Sequence, residues 1–180
     1  FKIELELFAD IGLIGLPNAG KSSLLNTLTN ADAKVGDYAF TTLDPNLGAF
    51  YSYIIADIPG IIEGASEGKG LGVKFLRHIK RTKMLAHLVS FENSNPANGG
   101  ASMLVSYKEI RKELKKYGHG LDEKEEIIIL TKSDVVDEKI IKKKMAEFKK
   151  ISKKVFVLSL YDDKIVKKFN DELAKILKKL

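Results

Sequence analysis

The fold is decided by the stretch Gly15-Leu16-Pro17-Asn18-Ala19-Gly20-Lys21-Ser22, which matches the phosphate-binding loop pattern G-x-x-x-x-G-K-[ST]. An apolar run that ends at Ile14 precedes this loop and predicts a buried strand. The segment from Lys21 to Leu28 follows it with leucines at helical spacing. The motif requires this strand–loop–helix context when it binds nucleotide phosphates. A glycine-bearing turn with a chance lysine is the alternative, and the flanking elements argue against it.

The loop residues have distinct predicted tasks. Glycines at 15 and 20 permit backbone angles that a Cβ blocks, so backbone N–H groups can surround a phosphate at the following helix N-terminus. We expect Lys21 to reach the terminal phosphates and the Ser22 hydroxyl to ligate Mg²⁺. The nucleotide-binding residues predicted in this segment are Gly15, Leu16, Pro17, Asn18, Ala19, Gly20, Lys21, Ser22 and Ser23.

Composition excludes several classes of protein. The 180 residues suit one domain, and no stretch approaches the roughly 18 apolar residues of a membrane span. The chain has no cysteine, which excludes disulfides and thiolate metal sites and agrees with a reducing compartment. We therefore expect a cytoplasmic monomer with no membrane partner.

The net charge of +6 has two interpretations. Lysine supplies 27 of the 30 basic residues, and 14 of these lysines lie at or after Lys139. They could form a surface that faces RNA or the ribosome, or they could be the solvated faces of ordinary helices. Charge alone favours the second interpretation, because the sequence has no arginine cluster and no interleaving of aromatic and basic residues.

Strand and helix signals alternate along the chain, which predicts an α/β fold of the P-loop NTPase kind. We expect a mostly parallel six-stranded sheet with helices on both faces. The predicted strands are roughly 3–14, 46–50, 53–58, 84–91, 127–131 and 155–159. The predicted helices are roughly 21–30, 70–82, 102–117, 137–150 and 163–179.

The connection between the second and third predicted strands is unusual. These strands should form an antiparallel hairpin, yet Ala49–Tyr53 contains no Gly, Asn, Asp or Pro to turn the chain. Our hypothesis is that residues are missing between Phe50 and Tyr51.

Two further segments complete the predicted phosphate site. Asp57-Ile58-Pro59-Gly60 matches the D-x-x-G element of GTP-binding proteins and lies 36 residues after Lys21. Its carboxylate is expected near Mg²⁺, and the Gly60 N–H near the γ-phosphate. Phe40-Thr41-Thr42 lies between the first helix and the second strand, and we favour Thr42 as a further Mg²⁺ ligand.

Two segments predict recognition of the base. Thr131-Lys132-Ser133-Asp134 matches [NT]-K-x-D, in which a carboxylate accepts two hydrogens that guanine offers and adenine does not. Threonine makes fewer hydrogen bonds than the usual asparagine, which predicts weaker nucleotide binding. In a second interpretation, Ser133 or Asp134 caps the next helix. The segment Ser159-Leu160-Tyr161 is predicted to meet the guanine from the other side.

In this order the motifs indicate a GTPase, and the chain resembles the Obg family. The resemblance is carried by Gly15–Ser23, by Tyr38–Thr42 and most of all by Asp57–Gly72 with Phe75–Ile79. It implies a Ras-like G domain spanning residues 1–180, with Mg²⁺ and GTP or GDP as ligands. It also implies a role in large-ribosomal-subunit assembly. On this resemblance we expect the chain to comprise the GTP-binding domain, without the family's glycine-rich N-terminal domain.

The resemblance extends to the catalytic residues, with one departure from many GTPases. Lys21, Thr42 and Gly60 are the predicted catalytic residues, but Ile61 stands where a glutamine often orients water. We therefore expect slow hydrolysis, on the order of 10⁻⁴–10⁻³ s⁻¹, until an external surface such as the ribosome completes the site. Glu63, Glu67 and His78 are the nearest polar substitutes, although solvated side chains are the simpler interpretation.

Two other functions remain open at this point. One is an ATP-using P-loop NTPase, against which Asp134 argues. The other is a nucleotide-insensitive domain that binds RNA or the ribosome, against which the intact Lys21, Ser22 and Asp57 argue.

Overall fold

The computed structural model describes residues 9–29, 46–58, 80, 82–94, 102–118 and 120–180. The strands among them are β1 Ala9–Gly15, β2 Asn46–Phe50, β3 Tyr53–Asp57, β4 Thr82–Ser90, β5 Glu125–Thr131 and β6 Val155–Leu158. The α-helices in the same ranges are α1 Lys21–Leu28, α2 Met103–Tyr117, α3 Glu138–Lys149 and α4 Asp163–Leu177.

The strands form one sheet in the order β2-β3-β1-β4-β5-β6. Among the pairs that these described strands form, only β2–β3 is antiparallel, and the other four are parallel. The carboxyl ends of parallel strands lie at one edge of a sheet, where ligands of such folds bind. The segments that follow β1, β3, β5 and β6 therefore meet at one edge, and the predicted six-stranded, mostly parallel sheet is confirmed.

Helices cover both faces of this sheet, as predicted. On one face, α1 and α4 contribute Leu24 and Phe169 to a core that includes Ile11 and Ile127. On the other face, α2 and α3 pack against β5 through side chains such as Phe148. The β5 run from Ile127 to Leu130 is fully buried because its side chains alternate between these two cores.

The hairpin between β2 and β3 closes in two residues. Phe50 pairs directly with Tyr53, and Tyr51 and Ser52 form the turn. Tyr51 takes the left-handed backbone conformation, with φ 53°, that two-residue hairpin turns require. A tyrosine in this conformation costs about 1–2 kcal/mol. The given sequence therefore closes the hairpin with a strained but exposed tyrosine in the turn, and the missing residues between Phe50 and Tyr51 stay a hypothesis.

Two other sequence expectations need correction. Helix α3 begins at Glu138, and Asp137 occupies its N-cap position. Ser133 instead begins a separate 3₁₀ turn, Ser133–Val135, so neither it nor Asp134 caps α3. The predicted helix 70–82 lies mostly outside the described residues, and its last residue, Thr82, is the first residue of β4.

Candidate functional site

The loop between β1 and α1 folds around its own lysine. The Lys21 ammonium donates hydrogen bonds to the carbonyl oxygens of Gly15 at 3.1 Å and Leu16 at 3.2 Å. Gly20 has φ 94°, and a Cβ built there would meet no heavy atom of the described residues within 4 Å. Open space therefore lies beside the first turn of α1, where N–H groups without helical partners favour an anion.

Gly15 allows the loop to pack directly against β4. Its φ is 155°, and a Cβ at this position would lie 2.6 Å from the backbone oxygen of Leu88. No side chain can be accommodated at this distance. The first glycine of the motif therefore serves the packing of the loop on the sheet, whereas Gly20 borders the open space.

Ser22 and Asp57 meet in front of the loop. The Ser22 hydroxyl donates to Asp57 Oδ2 at 2.5 Å, and Asp57 is 5% exposed at the end of β3. The second carboxylate oxygen, Oδ1, is buried and has no hydrogen-bond partner among the described residues. A buried carboxylate oxygen without a partner is unfavourable, and a bound cation would remove that cost.

A hydroxyl beside a single carboxylate is suited to Mg²⁺, which binds proteins through one or two carboxylates together with substrate phosphates. Within residues 9–29, 46–58 and the later described ranges, no group of three or more His, Cys, Asp or Glu could hold an ion. The pair fits a metal whose remaining ligands come from a bound phosphate.

The two predicted base-recognition segments also come together. Asp134 Oδ1 accepts a hydrogen bond from the Ser159 hydroxyl at 2.7 Å. Ser159 is buried, whereas Asp134 is exposed. Because β5 and β6 are neighbours, the segments that follow them bring these residues into contact.

Thr131 connects the base-recognition side to the phosphate loop. Its buried hydroxyl donates to the Ala19 carbonyl at 2.8 Å, across 112 positions of sequence. Thr131, which has fewer hydrogen-bonding groups than the usual asparagine, thus braces the phosphate loop against the end of β5. Weaker nucleotide binding stays a prediction.

We expect Thr131→Val to lower the free energy of unfolding by about 1–2 kcal/mol without nucleotide, because the Ala19 carbonyl loses its partner. Urea denaturation measures this change. Thr27→Val is the matched control, since the Thr27 hydroxyl donates to the exposed Ser23 carbonyl. A control loss as large as that of Thr131→Val would mean that the brace is unimportant.

Lys132 contacts a residue that the sequence analysis missed. Its ammonium lies 2.6 Å from Glu92 Oε2, and the two side chains are 32% and 50% exposed. Glu92 belongs to the 3₁₀ turn Phe91–Ser94 that follows β4. No motif marks Glu92, and only the register that pairs Ser90 with Thr131 explains why it lies beside Lys132.

A buried polar cluster beneath the loop was also missed. His87 Nδ1 lies 2.8 Å from Glu126 Oε1, and the Tyr107 ring stacks on His87 with centroids 4.7 Å apart. Arg111 lies 3.1 Å from the other Glu126 oxygen. Burial lowers the pKa of His87 despite the nearby carboxylate, and burial raises the pKa of Tyr107 to about 12. The cluster joins β4 and β5 to α2, and the lone histidine in an apolar strand was its only sequence signal.

The remaining predicted residues divide into two groups. Ile58 and Ser133 are buried, and Leu160 packs against the core, whereas Pro17, Asn18 and Ser23 are exposed and Tyr161 is 91% exposed. The others lie outside the described residues, and their roles stay predictions: Phe40, Thr41, Thr42, Pro59, Gly60, Ile61, Glu63, Glu67 and His78. No helix in the described part of the chain is long and apolar enough to cross a membrane.

Comparison with known sequences gives consistent matches. A family model described as "50S ribosome-binding GTPase" matches residues 10–132. The chain is 48% identical over 160 residues to GTPase Obg of Brachyspira hyodysenteriae, covering 86% of this chain and 22% of the relative. It is 49% identical over 166 residues to GTPase Obg of Prochlorococcus marinus strain MIT 9515, covering 88% and 48%. The chain therefore spans about half or less of these relatives.

Solved structures share the fold at low sequence identity. The crystal structure of an S. thermophilus NFeoB E67A mutant bound to GDP has a TM-score of 0.62 at 21% identity, covering 93% of this chain and 61% of the other. A probable GTP-binding protein engB has a TM-score of 0.56 at 17% identity, covering 94% and 99%. These similarities agree with the α/β architecture described above.

Proposed function

The chain belongs to the Obg family of 50S ribosome-binding GTPases, and on that premise we propose that it binds guanine nucleotides with Mg²⁺ and hydrolyses GTP slowly. The observation that carries the proposal is the Asp134 carboxylate, held by Ser159 at the sheet edge that also bears the Lys21 loop. One edge of the sheet thus offers a selective group for a base and a cationic loop for phosphates.

Asp134 favours guanine for a simple chemical reason. A carboxylate only accepts hydrogen bonds, and guanine presents two adjacent donors, N1–H and the N2 amino group. Adenine presents an unprotonated N1 at the corresponding position, which would repel the carboxylate. The hydrogen bond from Ser159 restricts the carboxylate orientation, so less conformational freedom is lost when a base binds.

Lys21 and the loop amides suit the phosphates. The ammonium now lies on the carbonyl oxygens of Gly15 and Leu16, beside the start of α1, so little movement separates it from a ligand there. Ser22 and Asp57 would hold Mg²⁺, which neutralises phosphate charge when bound. Backbone N–H groups, Lys21 and the metal-binding pair together would stabilise charge on the β- and γ-phosphates.

We further propose that hydrolysis involves Lys21, Thr42 and Gly60 and stays slow in isolation. Ile61 cannot hydrogen-bond a water molecule, so the expected rate is on the order of 10⁻⁴–10⁻³ s⁻¹. A larger surface would then complete the site, and the large ribosomal subunit is the partner we propose from the family description. We propose that residues 1–180 are a single GTP-binding domain, acting as a cytoplasmic monomer.

Titration with fluorescent GTP, GDP and ATP, each with and without Mg²⁺, tests the proposal. We expect both guanine nucleotides to bind at least about a hundredfold more tightly than ATP, because the wrong base leaves polar groups unpaired. Tighter binding of ATP would indicate an ATP-using P-loop NTPase. Absence of binding to all three nucleotides would favour the nucleotide-insensitive domain.

Removal of Mg²⁺ and removal of the Asp57 charge should lower the GTP affinity by the same amount. Chelation with EDTA is expected to weaken GTP binding by about ten- to a hundredfold, and Asp57→Asn should bind GTP in Mg²⁺ as the unaltered chain does in EDTA. Asp10→Asn is the control, because Asp10 lies on β1 and pairs with Lys83 away from the loop. Retention of full Mg²⁺ dependence in Asp57→Asn would refute the assigned metal site.

A further inference from the structure

We propose that Glu92 is a positioning residue that determines how tightly the base is held, because it fixes Lys132 beside Asp134. This inference rests on the proposed function, since it concerns the base that binds there. Glu92 belongs to no recognised motif of the chain. It acts through Lys132 rather than by touching the nucleotide.

Lys132 is restrained first through its backbone. Its backbone lies in the left-handed region, with φ 59° and ψ 46°, so the direction in which its side chain leaves the main chain is restricted. The neighbouring Thr131 is bonded to Ala19, and Asp134 is bonded to Ser159. The backbone from which the Lys132 side chain extends is therefore anchored on both sides, by the Thr131–Ala19 and Ser159–Asp134 hydrogen bonds.

The far end of the Lys132 side chain is restrained as well. The ammonium is held 2.6 Å from Glu92 Oε2, so both ends of a flexible four-carbon chain are restrained. An unrestrained lysine loses up to about 2 kcal/mol of side-chain entropy when it is ordered. Restraint before binding reduces that loss, and the methylene stem can then serve as an apolar surface for the face of a purine.

Glu92 lies in a turn that is itself held by hydrogen bonds. Its backbone N–H donates to the Ser90 hydroxyl at 3.1 Å, and Ser90 is buried at the end of β4. The next residue, Asn93, donates to the Ser106 hydroxyl of α2 at 3.4 Å. The backbone at Glu92 is thus attached to the sheet and to α2, which limits the positions from which its carboxylate contacts Lys132.

A double-mutant cycle on GDP affinity tests this role. We expect Glu92→Gln to weaken GDP binding about three- to fivefold at low salt, as suits an exposed ion pair. In the Lys132→Met background, the same change should alter GDP binding less than about 1.5-fold, because the ammonium is already gone. At a salt concentration of about 1 M, Glu92→Gln and the unaltered chain should have the same GDP affinity, since exposed charges are then screened.

Glu138→Gln is the matched control, because Glu138 makes an exposed ion pair with Lys142 on α3. It should leave GDP affinity unchanged, and thermal unfolding should show that all variants are folded. The proposal is overturned if Glu92→Gln binds GDP equally well or more tightly, or if its effect is the same in both Lys132 backgrounds. If the unaltered chain binds no GDP, the proposed function fails first, which is a different result.

Discussion

Asp134→Asn is expected to abolish the preference for guanine and create one for xanthine. The amide replaces one accepting oxygen with a donor, so it faces the guanine amino group with like polarity. Loss of two hydrogen bonds to a charged group predicts a fall in GDP affinity of about 10²- to 10⁴-fold. Xanthine carries a carbonyl oxygen where guanine carries that amino group, and the new amide can donate to it.

Competitive titration with GDP and xanthosine diphosphate measures this exchange. Asp137→Asn is the matched control, since Asp137 lies three residues further on and its side chain makes no capping hydrogen bond. It should change both affinities less than about twofold, as expected for an exposed position away from the ligand. If Asp134→Asn lost affinity for GDP and for xanthosine diphosphate equally, Asp134 would support the structure without selecting the base.

Lys21→Met is the second change with a large expected effect. Methionine keeps an unbranched stem of similar length but removes the charge that now lies on two loop carbonyls. Truncating one partner of a close charge pair costs about 2–5 kcal/mol, which corresponds to a loss of GTP affinity of roughly 30- to 5,000-fold. Equilibrium binding of fluorescent GTP measures the loss, and near-normal thermal unfolding would show that the domain remains folded.

The control for Lys21→Met must distinguish the effect of the Lys21 charge from attraction of the phosphates by the net positive charge of the protein. Lys143→Met serves, because Lys143 is exposed on α3, in a chain with a net charge of +6. It should reduce GTP binding by less than about twofold. If both variants lose affinity equally, the overall positive charge, and not the loop lysine, attracts the phosphates.

Local patterns predicted the elements whose residues are restrained by burial. The β5 run from Ile127 to Leu130 contacts both cores, so its sequence is apolar throughout and its assignment is direct. The loop at 15–22 was equally clear, because its glycines and lysine have few alternatives in a strand–loop–helix context. Asp134 and Ser159 were predicted separately, and their contact follows once β5 and β6 are neighbours.

Features that depend on the whole fold were not predictable in the same way. Tyr51 takes a left-handed conformation because strand pairing on both sides requires a two-residue turn, which its own residue type disfavours. Glu92 reaches Lys132 only because β4 and β5 align Ser90 with Thr131, and a single sequence does not contain that register. The buried His87 and Glu126 meet across the same strand pair.

The hydrogen bond from Thr131 to Ala19 joins the two sides of the site, and a nucleotide bound across both sides would act as a second, reversible cross-link between them. This hydrogen bond joins the phosphate side to the base side across 112 positions, so a ligand that occupies both sides draws together segments distant in sequence. A ligand present at a thousand times its dissociation constant adds about 4 kcal/mol to folding stability. Domains of this kind have a total of only about 5–15 kcal/mol. The supply of guanine nucleotide in the cell would therefore influence how long the folded protein survives.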